Sequence, residues 1–173
     1  MGLVHERKDG MKKLRKQLIN WLFAISSKIY TRIYKNHKPW DITKTELLSC
    51  SKESLGFNLG LFLDQNNFEL IPKVERHDCY HVLTGYSTEV EDEIALQYLS
   101  FGNGKRSPYL YGAVILGTII LPDYLTYYLK SYHIGKAANV FHNLDFKPLL
   151  KTNMDALRHV IFSTKQIQII KNL

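Results

Sequence analysis

Apolar residues recur at helical spacing along most of this 173-residue chain, and no segment shows a convincing strand-like alternation. Leu14, Leu18, Trp21, Leu22, Ile25, Ile29 and Ile33 form one stripe, which predicts an amphipathic helix over residues 11–35. Pro39-Trp40-Asp41 breaks it. Thr43-Lys44-Thr45-Glu46 has the spacing of a capping box and opens a short helix. Leu55, Leu59 and Phe62 mark a further helix over 52–64, in which Gly56 and Gly60 permit a close helix approach. Gln65-Asn66-Asn67 reads as a turn. The next helix is expected to begin at Pro72 or Lys73 and to stop at Gly85, which stands where a C′ glycine belongs. Thr88-Glu89-Val90-Glu91 then reads as a second capping box opening the helix that follows.

Past Gln97 the chain reaches Gly102-Asn103-Gly104-Lys105-Arg106-Ser107-Pro108. This is a loop between helices that could also hold an anion on its N–H groups and on Lys105 and Arg106. Tyr109 to Leu121 is the most apolar run, thirteen residues bounded by two prolines. A bilayer span needs about 17–25 residues, so a buried helix is expected instead. Gly112 and Gly117 leave room along it for a neighbouring helix or an isoprenoid tail. Tyr124, Tyr127, Tyr128 and Tyr132 recur at helical spacing and suit a half-buried face or a groove wall. Two more helices are expected near 133–143 and 148–162. The fold class is therefore all-α: a single-domain helical bundle, with residues 1–38 as a basic amphipathic N-terminal helix and 39–173 as the helical domain.

Composition sharpens this in two places. The two cysteines, Cys50 and Cys79, give no disulfide framework, so a reduced, cytoplasmic setting is the default expectation. The net charge of +7 is uneven: residues 7–38 carry ten Lys and Arg against one Asp. With Trp21 among them, these cations suit a helix lying on a membrane surface; the alternative is an ordinary helix packing its stripe on the domain. Asn20 interrupts the apolar stretch and argues against a secretory signal. No nucleic-acid motif accompanies the basic segment, and no nucleic-acid partner is expected.

The candidate chemistry lies in His77-Asp78-Cys79-Tyr80-His81 and in Glu93, twelve residues later. Imidazole and carboxylate are the ligand types of zinc and other first-row divalent metals. His77 and His81 share a helix face, and Asp78 is near enough to ligate or to support a ligand. On one straight helix Glu93 would stand about 18 Å from His81. Only a helix hairpin turning at Gly85-Tyr86-Ser87 would bring it back. Glu89, Glu91 and Asp92 lie beside Glu93, so spacing alone does not choose among the four acids. Cys79 projects elsewhere and reads as a small buried residue.

The stretch resembles the ubiquinone (coenzyme Q) biosynthesis protein family called Coq-four, whose signature is His-Asp-x-x-His, eleven residues, then Glu. Residues 82–92 supply the eleven, and the runs His81-Val82-Leu83-Thr84-Gly85 and Glu93-Ile94-Ala95-Leu96-Gln97 are also similar. The resemblance extends from about Glu53 to about Phe162. It implies an all-helical domain holding a divalent metal on His77, Asp78, His81 and Glu93, which would also be the catalytic set. It implies binding of a polyprenyl quinone precursor or related isoprenoid lipid, and oxidative decarboxylation that replaces a ring carboxylate with a hydroxyl. Homodimers, peripheral membrane association and contact with other quinone-biosynthesis enzymes are further implications. Asp92 departs from the family, which usually has glycine there.

Two other readings compete. One is a non-catalytic lipid-binding scaffold with a structural metal clamping the hairpin. The other is a metal-dependent phosphohydrolase, suggested by the His77-Asp78 pair, which would draw further ligands from His133, His142, Asp145 or His159. No dinucleotide-binding fingerprint is present, since the glycines at 102 and 104 lack its strand-to-helix context.

Overall fold

The computed structural model describes residues 10–25, 39–71 and 74–171. Among them all regular structure is helical, apart from an isolated bridge between Ser54 and Asn153. Helix α1 covers 10–25; the rest of the expected 11–35 helix lies outside the described residues, as do Pro72 and Lys73. There follow α2 (Lys44–Leu48), α3 (Leu55–Gln65), α4 (Glu75–Thr84), α5 (Val90–Gly102), α6 (Pro108–Ile120), α7 (Leu125–Ala137), α8 (Met154–Ile161) and α9 (Thr164–Lys171). Short 3-10 turns precede α7 and α8.

The local signals explain several boundaries. Thr43 caps α2 and Glu46 returns the bond, completing the expected capping box. Gly85 closes α4 in the left-handed conformation at φ 75°, which costs a glycine little. Ser107 caps α6, with Pro108 in its first turn. The expected box at Thr88 does not form. Glu89 is the N-cap of α5 and makes no side-chain capping bond. Glu91 is drawn instead into an ion pair with Lys16 of α1 at 2.6 Å.

The core is one cluster running through α3, α4, α5 and α7. It includes Leu55, Leu59, Leu83, Ile94, Leu99 and Tyr128. Its main seam is α5 against α7. Two glycines permit that approach. A Cβ on Gly135 would land on the Leu99 carbonyl, and one on Gly102 on the Tyr132 carbonyl. Gly56 and Gly60 serve the closeness expected of them, facing Leu150 and Leu47–Leu48. Buried Glu75 accepts the Trp40 N–H at 3.0 Å, which ties the segment before α2 to the first turn of α4.

Three expectations need correction. The 109–121 run is a helix but is not buried all round. Leu110, Ala113 and Gly117 face inward, while Tyr111, Ile115, Leu116 and Ile119 are exposed, because α6 packs through one face only. The helix expected near 133–143 is the end of α7, which the tyrosines begin, and it stops at Ala137. Buried Asn103 then holds an irregular segment: its amide donates to the carbonyls of Gly135 and Asn139 and its oxygen accepts the N–H groups of Phe141 and His142. The 148–162 helix starts late, at Met154, where Asn153 caps it, and α9 follows unanticipated.

Helix α1 also turns an unexpected face inward. Ile19 is buried, yet Leu14, Leu18, Trp21 and Ile25 of the apolar stripe are exposed. Arg15 pairs with Asp123 at 2.9 Å, and Lys12 lies 4.4 Å from the Tyr124 ring centroid. The basic side of α1 therefore contacts the domain while much of its apolar stripe does not. Between α1 and α6 runs an apolar groove of about 190 Å³, lined by Ile19, Leu22, Phe23, Tyr109, Gly112 and Leu116 among others. Gly112 opens onto free space, whereas Gly117 is packed against Ile94. No single described helix is long and apolar enough to cross a membrane; Pro108–Ile120 and Pro122–Ala137 pass together but are bent by 100°.

Candidate metal centre

His77 and His81 project from adjacent turns of α4, as their i, i+4 spacing requires. Their Nε2 atoms are 3.2 Å apart, and the rings stand nearly perpendicular at 87°. The chain reverses after Gly85, and the first turn of α5 delivers Glu93. One carboxylate oxygen is 3.1 Å from His77 Nε2 and the other 3.1 Å from His81 Nε2. The two helices meet at this point rather than along their lengths, since the main partner of α5 is α7.

Three successive acids point three ways, because each residue turns the helix by about 100°. Glu91 reaches α1 through Lys16. Asp92 takes the Ser87 backbone and hydroxyl groups at 2.8 and 2.6 Å and the Tyr127 hydroxyl at 2.7 Å. Glu93 alone joins the imidazoles. The group whose ligand atoms lie within 4.8 Å of one another is His77, His81 and Glu93. Asp78 is not in it, being rotated away from His77, although its charge is felt at His81. His133, His142, Asp145 and His159 join no such group among the described residues, which leaves the phosphohydrolase reading without its further ligands.

The second ring nitrogen of His81 decides its chemistry. Nδ1 lies 3.0 Å from the Tyr86 carbonyl, which can only accept, so Nδ1 donates. In a neutral His81 the Nε2 lone pair then faces both the Glu93 carboxylate and His77. Such an arrangement requires a cation, either protons or a metal. Tetrahedral ligands at about 2.0–2.1 Å from an ion are separated by about 3.3 Å, close to the spacings here. The Nδ1–H to carbonyl bond is also the usual outer support of a metal-bound imidazole. The residues present fit a divalent ion.

Burial and charge act in opposite senses across the set. Burial first lowers the His77 pKa, against the pull of Glu93. Burial also opposes charge on His81, but the Glu93 bond and charge and the Tyr86 carbonyl outweigh it and raise its pKa. Glu93 is likewise penalised by burial, yet the two imidazoles hold its carboxyl far below the usual range. His81 is sealed at 2% exposure with Phe62 stacked 5.3 Å away, whereas the His77 and Glu93 side chains are each 23% exposed. The set is thus open from one side.

The 102–108 loop reaches the Tyr80 ring, which stands edge-on to His77. Arg106 donates to the Phe101 and Lys105 carbonyls and lies over the Phe101 ring. Lys105 lies 5.3 Å from the Tyr80 ring centroid, and its charge is among those lowering the pKa of His77. Of the two loop cations, Lys105 is thus the one whose charge reaches His77. Tyr109, at the start of α6, feels the charge of Glu93. Neither was singled out at the site by spacing, because both depend on how the chain after α5 folds back.

The model of the family described as "Coenzyme Q (ubiquinone) biosynthesis protein Coq4" matches residues 62–165, more than half of the chain. The chain belongs to the Coq4 family. The match spans α4, α5 and the whole candidate centre. Among solved structures, the chain is similar to one from Nostoc punctiforme PCC 73102 titled a "Putative ubiquinone biosynthesis protein". The TM-score is 0.62 at 16% identity, covering 89% of this chain and 82% of that one, a likeness of fold. None of the curated proteins matches this chain.

Proposed function

We propose that this Coq4-family protein carries out the metal-dependent oxidative decarboxylation of a polyprenylated aromatic acid in quinone biosynthesis. The observation that carries the reading is the convergence of two imidazole Nε2 atoms and a carboxylate on one partly open point. His77, His81 and Glu93 would hold the ion, which is zinc or another first-row divalent metal. Asp78 would act beside them through its charge. When bound, the ion supplies Lewis-acid chemistry to a carboxylate or ring oxygen.

The chain's own residues do the rest. Tyr86 fixes the His81 tautomer through its carbonyl. Phe62 excludes water behind His81. Lys105, whose charge reaches His77, attracts the substrate carboxylate. The change breaks the ring carbon–carboxylate bond, forms a ring hydroxyl with oxygen from water or dioxygen, releases carbon dioxide and removes two electrons. The oxidant is dioxygen, with a redox-active metal, or a separate electron acceptor. The groove between α1 and α6 takes the isoprenoid tail, supported by its apolar lining and by Gly112.

The same reading places the protein in the cytoplasm, peripherally on a membrane through residues 11–35. Exposed Leu14, Leu18, Trp21 and Ile25 support it. It includes a homodimer and contacts with other quinone-biosynthesis enzymes, and the uncovered face of α6 suits a protein contact. A scaffold with a structural metal is the second reading, favoured by the way the set joins the ends of α4 and α5.

Two measurements test the proposal together. Elemental analysis of protein purified without chelator should find about one divalent ion per chain, absent in His81→Ala. In a host lacking its own family member, the gene should restore quinone and His81→Ala should not. Accumulation of the ring-carboxylated precursor despite wild-type expression would exclude the decarboxylation. Loss of thermal stability in His81→Ala with quinone still formed would favour the scaffold.

A further inference from the structure

We propose that Asp92 and Tyr127 form a latch that sets the reach of Glu93 toward the imidazoles, which makes Asp92 a positioning residue of the metal centre. The inference rests on the metal reading above. It starts from a weakness at the end of α5 that carries Glu93. Glu89 gives this end no side-chain cap, and Glu91, which takes its own N–H, is tied to Lys16 of α1 and not to the turn before α5. An uncapped first turn leaves N–H groups unsatisfied and frays readily. Glu93 lies in that turn.

Asp92 fastens it in another way. Its Oδ2 accepts both the N–H and the hydroxyl of Ser87, in the turn that follows α4. The Ser87 hydroxyl in turn accepts the Glu89 N–H at 3.2 Å. Its Oδ1 accepts the Tyr127 hydroxyl from α7. One carboxylate thus registers the start of α5 against two other elements. A glycine at this position could make none of these bonds.

The same turn governs His81. Tyr86, next to Ser87, takes the His81 Nδ1–H on its carbonyl and sends its own hydroxyl to Ser131 of α7 at 2.8 Å. The Ser131 hydroxyl donates to the Tyr127 carbonyl at 3.0 Å. Loosening the latch therefore displaces a ligand from each helix at once. Metal sites tolerate errors of only about 0.5 Å in ligand placement.

The test is zinc affinity, measured by chelator competition on wild type, Asp92→Asn, Tyr127→Phe and the double variant. Cobalt-substituted samples of each give the ligand geometry by absorption. Losses of outer supporting groups typically cost about 10–100-fold in metal affinity. Asp92→Asn should weaken binding about tenfold and alter the cobalt spectrum. Tyr127→Phe should do so less strongly, and the double variant should lose less than the sum of the two single losses, because both variants weaken one shared bond. Thermal melts of the metal-free proteins show that each variant is folded. Wild-type affinity and spectrum in both single variants, or losses that simply add, would overturn the latch. If wild-type protein takes up no zinc or cobalt, the metal reading has failed and the latch falls with it. If wild type binds and Asp92→Asn binds equally, only the latch is refuted.

Discussion

Gly135→Ala is expected to destabilise this protein although alanine is the better helix former. The residue lies on α7 where it crosses α5. A Cβ there would overlap the Leu99 carbonyl and stand 3.1 Å from the Asn103 nitrogen. These are backbone atoms of a packed helix, so no side-chain rotation relieves the overlap. The helices must part along the seam that includes the stacked Tyr98 and Tyr128 rings, 5.4 Å apart. Overpacking costs about 1–3 kcal/mol, and a backbone clash sits at the upper end, about 3. Parting also weakens the bond from the Asn103 amide to the Gly135 carbonyl, about 1 kcal/mol. The helix-propensity gain returns about 1 kcal/mol. The net loss is about 3 kcal/mol, which for a chain of this size lowers Tm by about 6–12 °C. Gly112→Ala is the control: nothing lies within 4 Å of its Cβ position, so it should raise Tm by about 2–4 °C. Thermal denaturation followed by circular dichroism, with urea unfolding alongside, reads both. A Gly135→Ala protein melting at or above the wild-type temperature would show that this close approach does not limit the fold.

Zinc uptake should release protons, and more near pH 6.5 than at pH 8. The raised His81 pKa keeps a proton on the metal-free folded site, a stabilisation present below the ordinary histidine range and lost as pH rises through the raised value. Calorimetry in buffers of different ionisation heat measures this release, and identical heats in all buffers at pH 6.5 would contradict it. Arg158→Ala should cost about 1–3 kcal/mol in urea unfolding, since this 27%-exposed side chain donates to the Leu83 and Val82 carbonyls at the C-terminus of α4. Arg158→Lys should recover little of it, because an ammonium lacks the planar fork; full recovery would show that charge alone suffices. Leu18→Glu with Trp21→Glu should abolish co-sedimentation with anionic vesicles while leaving zinc affinity unchanged. Equal vesicle binding would remove α1 from the membrane contact.

Much of the site was legible because its signals are local. The i, i+4 histidines fix a shared helix face, and a glycine at 85 has one good use at the end of a helix. The capping box at Thr43 and the close approach of Gly60 to Leu47 and Leu48 depend on near neighbours in the same way, whereas Gly56 meets the distant Leu150. The misreadings fall where a distant partner overrides a local preference. Glu91 fits a box with Thr88 but finds Lys16, 75 residues away, and the box is lost. Asn103 draws the 138–142 segment out of helical form through bonds spanning more than 30 residues. The apolar stripe of α1 could be detected by its period, but its period cannot say which side meets the domain. Arg15 and Lys12 decide that through Asp123 and Tyr124.

The choice among the acids is the clearest case. Composition and spacing place Glu89, Glu91, Asp92 and Glu93 together, and any register of a hairpin would bring one of them near the histidines. What selects Glu93 is that its neighbours are held by other helices: Glu91 by α1 and Asp92 by α7. These two contacts, together with the packed seam between α5 and α7, set the rotation of α5 about its axis, and the remaining direction points the third acid at His77 and His81. The third member of the candidate metal set is thus chosen in large part by bonds that reach beyond residues 77–93, to Lys16 and Tyr127, which is why spacing within that stretch does not single it out.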